Sequence, residues 1–96
     1  MANSVSGAYS AWNFDVYPED AALLQIATAI GVNYVSIAVA TQVSAAGTNY
    51  VFLCRAELGS PGASQCAAKV YIHAPPPGLG DPHVTQILEV APQPAS

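Results

Sequence analysis

The spacing of apolar residues changes once along this chain, and that change limits the folds open to it. In residues 18–30 the apolar positions recur every three or four residues, which is typical of an amphipathic helix. From residue 32 onward they alternate with a period of two, in stretches separated by short turns, which indicates β-strands. Closely connected strands pair antiparallel, and a helix must cover one face of their sheet. The pattern therefore predicts an α+β fold.

The predicted helix carries start and stop signals. Pro18 suits the first helical position, and the acidic pair Glu19 and Asp20 complements the positive end of the helix dipole. Gly31 is expected to end the helix as a left-handed C-cap, giving about 13 residues or roughly 20 Å. The residues expected on its apolar face are Leu23, Leu24, Ile26, Ala27 and Ile30.

Turn-forming residues divide the rest of the chain. Glycine and proline mark turns at residues 59–63 and 75–81, and the prolines of the second turn cannot continue a strand. The predicted strands are residues 32–41, 49–58, 65–74 and 83–90.

Residues 7–16, before the helix, are rich in aromatics and form either a short strand or an irregular arm, with Trp12 expected to plug the core. We thus expect a single domain over residues 1–96, in which one N-terminal helix packs on a four- to five-stranded antiparallel sheet. Residues 1–6 and 91–96 are expected to be disordered tails.

Composition excludes several functions. Hydrophobic residues make up 52% of the chain and charged residues only 8%, with a formal net charge of −4. Arg55 and Lys69 are the two basic residues, too few for the basic patch that nucleic acid requires. The uncharged stretch 21–40 contains polar residues and the helix breaker Gly31, so a membrane span is not expected. The first residues resemble no secretory signal, which predicts a cytoplasmic location.

The cysteines and histidines give no catalytic signature. A hairpin centred on Ser60 would place Cys54 opposite Cys66, either as a disulfide or, as we expect for a chain with no visible signal, as reduced thiols. His73 and His83 flank the proline loop and are expected to be solvated loop residues. Because the spacing fits neither a metal set nor a cysteine–histidine enzyme, we expect no metal, no cofactor and no enzyme activity.

One segment carries a family resemblance. The stretch "TQVSAAGTNYVFL" resembles the signature of the cystatins, particularly the stefins, whose first hairpin carries Gln-Val-Val-Ala-Gly followed by Thr-Asn-Tyr. The matching residues are Thr41, Gln42, Val43, Ala46, Gly47, Thr48, Asn49 and Tyr50. The later stretch "APPPGLGDPHVTQILEV" resembles the second stefin hairpin and the last strand. The resemblance covers residues 7–90, and the loop before Gly47 is one residue longer than in the family.

The resemblance implies a cystatin-like fold and reversible inhibition of papain-like cysteine proteases by a wedge of three segments. Carried over to this chain, the protease-binding residues would be Gly7, Gln42, Val43, Ser44, Ala45, Ala46, Gly47, Pro77, Gly78 and Leu79. Their side chains are small or uncharged, so they desolvate at little cost and lose little rotamer freedom on binding. A papain-like protease is the partner implied.

A second hypothesis belongs to a different class. The same fold could serve as an interaction module without inhibitory activity, because one fold can host many functions. Such a module would act as a monomer or as a loop-swapped homodimer, in which the longer loop serves as the hinge.

Overall fold

The computed structural model describes residues 8–28, 31–58 and 65–91. One helix, α1 (Pro18–Ala27), precedes four strands: β1 (Val32–Ser44), β2 (Gly47–Leu58), β3 (Gln65–Ala74) and β4 (His83–Val90). Successive strands pair antiparallel in the order β1-β2-β3-β4. The predicted arrangement of one helix on an antiparallel sheet is confirmed. β3 and β4 have the predicted bounds, whereas β1 and β2 extend further toward their shared turn.

The helix is shorter than predicted. It begins as expected, with Pro18 in the first turn after an extended Tyr17. It ends at Ala27, because Thr28 becomes extended and both its amide and its hydroxyl donate hydrogen bonds to the Leu24 carbonyl oxygen, at 3.1 and 2.8 Å. Gly31 has the predicted positive φ, +116°, but it follows the helix end by several residues instead of capping it.

The core lies between α1 and one face of the sheet. Leu24 packs there with Val39, Phe52 and Val70, which are register partners on three adjacent strands. Phe52 and Leu24 are fully buried, and each such side chain contributes about 1.5–3 kcal/mol through its removal from water.

Ile26 was expected in this core, and that prediction is wrong. Leu23, Leu24 and Ala27 turn toward the sheet, whereas Ile26 is 76% exposed. At 3.6 residues per turn, Ile26 lies about 60° beyond Leu23 on the side away from Leu24. Ile30, the last predicted face residue, lies outside the described residues.

The opposite face of the sheet is partly covered by the arm that precedes α1. Backbone hydrogen bonds join the Ser10 amide to the Thr41 carbonyl oxygen and Asn13 to Val39, so the arm runs along the free edge of β1. Tyr9 then packs edge-on against Tyr71, with ring centroids 6.5 Å apart. The residues Ala38, Ala40 and Val51 are buried on this face. The arm is thus a bridged extension of the sheet.

Trp12 does not plug the core as predicted. It is 38% exposed, and the neighbouring Phe14 and Tyr17 are 66% and 59% exposed. Trp12 is exposed because the arm that carries it is held at the edge of the sheet and not between the helix and the sheet.

No helix in the described part of the chain is long and apolar enough to cross a membrane.

The two cysteines are not opposite each other. Cys54 pairs with Ala68 and Cys66 pairs with Ala56, because the β2–β3 register is centred one residue later than Ser60. Both thiols are free, in agreement with the reduced state expected from the sequence. Cys54 is fully buried in the core and Cys66 is exposed.

Candidate functional site

The sheet order brings two connections to the same end of the molecule. In an antiparallel meander the β1–β2 turn and the β3–β4 loop lie at the same end of the sheet. The two connections touch: a Cβ built on Gly47 would collide with the carbonyl oxygen of Ala74 and lie 3.0 Å from the α-carbon of Pro75. We call residues 43–47 and 75–80 together the loop rim.

The first half of the loop rim is a tight turn. Ser44 pairs with Gly47, so that only Ala45 and Ala46 connect the two strands. The Ser44 hydroxyl accepts a hydrogen bond from the Ala46 amide at 3.2 Å and donates one to the Gly47 carbonyl oxygen at 3.3 Å. Gly47 has a φ of +128°, which favours glycine. The first turn is thus a closed hairpin with a small, exposed tip.

The second half of the loop rim is stiffened by prolines. The Leu79 amide donates to the Pro76 carbonyl oxygen at 3.0 Å, and Gly78 between them has a φ of +85°. Pro77 followed by a glycine with positive φ is the sequence preferred by a type II turn. This turn presents Leu79 to solvent with 74% of its side chain exposed.

The loop rim exposes apolar side chains and carries no charged residue. Val43 is 70% exposed on the first turn, and Leu79 is its counterpart on the second. Residues 41–54 and 70–80 contain no charged side chain. Asp81 is the nearest acidic residue in sequence, just beyond the second turn. The loop rim is therefore a surface suited to apolar contact and backbone hydrogen bonding.

A row of polar side chains crosses the sheet beside the loop rim. Gln42, Asn49, His73 and His83 are register partners, one from each strand, on the face opposite α1. The Asn49 Nδ2 donates to Gln42 Oε1 at 2.7 Å, and the Asn49 Oδ1 lies 2.6 Å from His73 Nδ1. His73 and His83 meet edge to face, with ring centroids 5.7 Å apart. We call these four residues the polar row.

The polar row corrects an expectation from the sequence. His73 and His83 are strand residues that pair with each other and not loop residues; His83 is exposed as expected, whereas His73 is half-buried. The sequence contained one signal for this pairing: His73 comes immediately before Ala74 and His83 immediately after Pro82, at the two ends of the proline loop. Residues that bracket a hairpin loop symmetrically become neighbours when the strands pair.

The cysteines lie away from this end. Cys66 pairs with Ala56 near the opposite end of β3, whereas His73 is close to the loop rim. Burial raises the pKa of the Cys54 thiol to about 12, and its Sγ donates to the Phe52 carbonyl oxygen at 3.7 Å. Neither thiol is placed to form a catalytic pair with His73 or His83.

A shallow groove occupies the other end of the helix-facing side. It has a volume of about 380 Å³ and runs between Tyr34, Cys66 and Ile87. No residue of α1 lines this groove. The groove exposes Cys66 to solvent and is separate from the loop rim.

Nine of the ten predicted site residues belong to the loop rim or to the polar row beside it. The first turn holds Val43, Ser44, Ala45, Ala46 and Gly47; the second holds Pro77, Gly78 and Leu79; and the polar row holds Gln42. Gly7 lies outside the described residues. No family model, curated protein or solved structure matches the chain.

Proposed function

We propose that the protein is a reversible inhibitor of papain-like cysteine proteases and that the loop rim is the part that enters the active-site cleft. The observation that carries this proposal is the direct contact of Gly47 with Ala74 and Pro75, which joins two uncharged turns into one narrow edge. The cystatin resemblance of residues 41–53 supports the same assignment.

The side chains of the loop rim suit insertion into a cleft. The side chains of Ala45 and Ala46 have no rotamer freedom to lose and carry no polar group that must be desolvated. Val43 and Leu79 supply exposed apolar surface, whose burial contributes about 25 cal/mol per Å². Binding would therefore draw on shape and apolar contact rather than on charge.

The loop rim is also preorganised. The Ser44 hydroxyl holds the first turn, and the prolines restrict the second. A wedge that is rigid before binding pays less ordering entropy on association. Because Ser44 pairs directly with Gly47, the turn would not offer an extended peptide bond in the geometry needed for attack by the protease.

The test is a titration of papain of known active-site concentration with the purified protein. We expect inhibition that is complete, reversible on dilution and competitive with a small peptide substrate. The protein should remain uncleaved at the loop rim after prolonged incubation, as measured by mass spectrometry. Full papain activity in the presence of micromolar protein would contradict the proposal.

The alternative function, an interaction module without inhibitory activity, is favoured by a different observation. β4 is an edge strand, and its adjacent residues Ile87 and Leu88, which point to opposite faces, are 46% and 42% exposed. An exposed apolar edge strand can pair with another chain. The loop-swapped homodimer is one form of this alternative, in which residues 44–47 would straighten into a hinge.

Size-exclusion chromatography with light scattering tests the loop-swapped form of the alternative. An inhibitor acting through the loop rim is expected as a monomer, because a swapped dimer would lose the turn that forms half of the wedge. If the dimer and monomer are isolated separately, only the monomer should inhibit papain. Equal inhibition by both forms would argue against a wedge that depends on the closed first turn.

A further inference from the structure

We infer that His73 and His83 form a binding site for a divalent transition-metal ion, with Zn²⁺ as the ion that we propose. The inference is independent of the proposed function. Sequence spacing predicted no such site, because the two residues are ten positions apart and belong to different strands. The register of β3 and β4 makes them direct partners.

The distance between the two rings fits a shared ion. Their centroids are 5.7 Å apart. Two imidazoles that bind one zinc ion through ring nitrogens, at about 2.0–2.1 Å each, have centroids roughly 5–6 Å apart. His83 is exposed, so its ring can adjust to the ion, whereas His73 is half-buried and held by Asn49. The pair therefore combines one fixed ligand with one adaptable ligand.

The contacts of Nδ1 in each ring indicate which of the two ring nitrogens carries the proton when the ring is neutral. Asn49 donates through Nδ2 to Gln42, which turns its Oδ1 acceptor toward His73 Nδ1. In the neutral ring, His73 Nδ1 therefore carries the proton and Nε2 keeps the lone pair. His83 Nδ1 likewise lies 3.3 Å from the Asp81 carbonyl oxygen, an acceptor. In each neutral ring, this tautomer leaves Nε2 free to bind a metal ion, with an oxygen acceptor beside Nδ1.

The surroundings do not oppose a cation. The formal net charge of the chain is −4, and the other two residues of the polar row, Gln42 and Asn49, are uncharged. Within residues 8–28, 31–58 and 65–91, no group of three or more histidine, cysteine, aspartate or glutamate side chains could hold a metal ion. The site is consequently a two-histidine site in which solvent supplies the other ligands. The bound ion would join the ends of β3 and β4 at the base of the second turn.

Calorimetric titration with ZnCl₂ tests this site. The protein should be untagged and carry Cys66→Ser, which removes the exposed thiol as a competing ligand. Because the chain has only two histidines, we expect one saturable site, with an affinity at least tenfold lower in both His83→Ala and His73→Ala. His83 is exposed, so His83→Ala should retain the fold. Absence of binding, or an unchanged affinity in His83→Ala, would overturn the inference.

The role of Asn49 as a positioning residue has its own readout. Long-range ¹⁵N NMR of the metal-free protein should show both histidines protonated at Nδ1, and Zn²⁺ should shift the Nε2 resonances. Asn49→Ala should lower the affinity about tenfold, whereas Asn49→Asp, which keeps an acceptor facing His73, should preserve it. Finding the proton on Nε2 of His73, or equal affinities for the two variants, would contradict the assignment.

Discussion

Gly47 lies directly against the carbonyl oxygen of Ala74, so the turn between β1 and β2 touches the start of the loop between β3 and β4 with no side chain between them. Gly47 begins β2 and Ala74 ends β3, so the contact joins backbone atoms of two consecutive strands that pair in the sheet. It turns two separate loops into one edge. The proposed inhibitory activity depends on that edge.

Replacement of Gly47 by alanine should therefore be unusually costly. The new Cβ would collide with the Ala74 carbonyl oxygen, and the φ of +128° is unfavourable for alanine. We expect Gly47→Ala to lower the free energy of unfolding by about 3 kcal/mol, as measured by urea denaturation. Gly78→Ala is the matched control, since Gly78 also has a positive φ but open space around it, and it should cost only about 1 kcal/mol. Equal losses of stability in Gly47→Ala and Gly78→Ala would show that the collision with the Ala74 carbonyl oxygen adds no cost.

Leu79 should contribute to protease binding through its exposed side chain. We expect Leu79→Ala to raise the inhibition constant for papain about tenfold, which corresponds to about 1.4 kcal/mol. Ile26→Ala is the control, because Ile26 on α1 is 76% exposed, close to the 74% of Leu79. It should leave inhibition unchanged. A similar weakening by both substitutions would mean that general surface hydrophobicity, and not the loop rim, determines the inhibition.

The two thiols should differ sharply in reactivity. Cys66 is exposed beside the groove, whereas Cys54 is fully buried in the core. With iodoacetamide at pH 8, we expect one alkylation on the native protein, at Cys66, and a second at Cys54 only after denaturation. Peptide mapping by mass spectrometry locates each modification. Alkylation of both thiols at comparable rates in the native state would contradict the burial of Cys54.

The stability of the protein should fall in alkaline solution. Burial raises the pKa of Cys54 from 9.0 to about 12, so above pH 9 the unfolded chain releases a proton that the folded chain retains. Stabilisation from this group is complete below pH 9 and is lost as the pH rises toward 12, by roughly 1 kcal/mol per pH unit. Denaturant unfolding between pH 8 and pH 10.5 measures the slope.

Cys54→Ala isolates this contribution. Burial also raises the pKa values of Tyr9 and Tyr50, so part of the alkaline loss should remain in the variant. We expect the slope of stability against pH to become shallower in Cys54→Ala and to be unchanged in Cys66→Ser. Identical slopes in all three proteins would exclude Cys54 as the titrating group.

Phe52 is expected to be the largest single contributor to the core. It is fully buried between Val39 and Val70 beneath Leu24. Phe52→Ala should lower the free energy of unfolding by about 3–5 kcal/mol, whereas Phe14→Ala, at a position 66% exposed on the arm, should change it by less than about 0.5 kcal/mol. Thermal and urea unfolding of both variants checks the difference. A small decrease in the free energy of unfolding for Phe52→Ala would contradict the central position of Phe52 in the core.

The sequence alone was sufficient for the elements with strong local signals. β3 and β4 were predicted at their observed bounds, because glycine- and proline-rich turns interrupt the alternation on both sides. The single helix, the antiparallel sheet and the uncharged turns at residues 44–47 and 75–80 follow from the same kind of local pattern. The loop tips could be predicted because turn chemistry depends on a few neighbouring residues.

Only the tertiary structure decided which residues meet. The exposure of Ile26 depends on the direction in which α1 faces the sheet, and the separation of Cys54 from Cys66 depends on a register shift of one residue. The contact of His73 with His83 required β3 and β4 to pair. Helix orientation and strand register are set by long-range packing, so local periodicity identifies the elements without determining their partners.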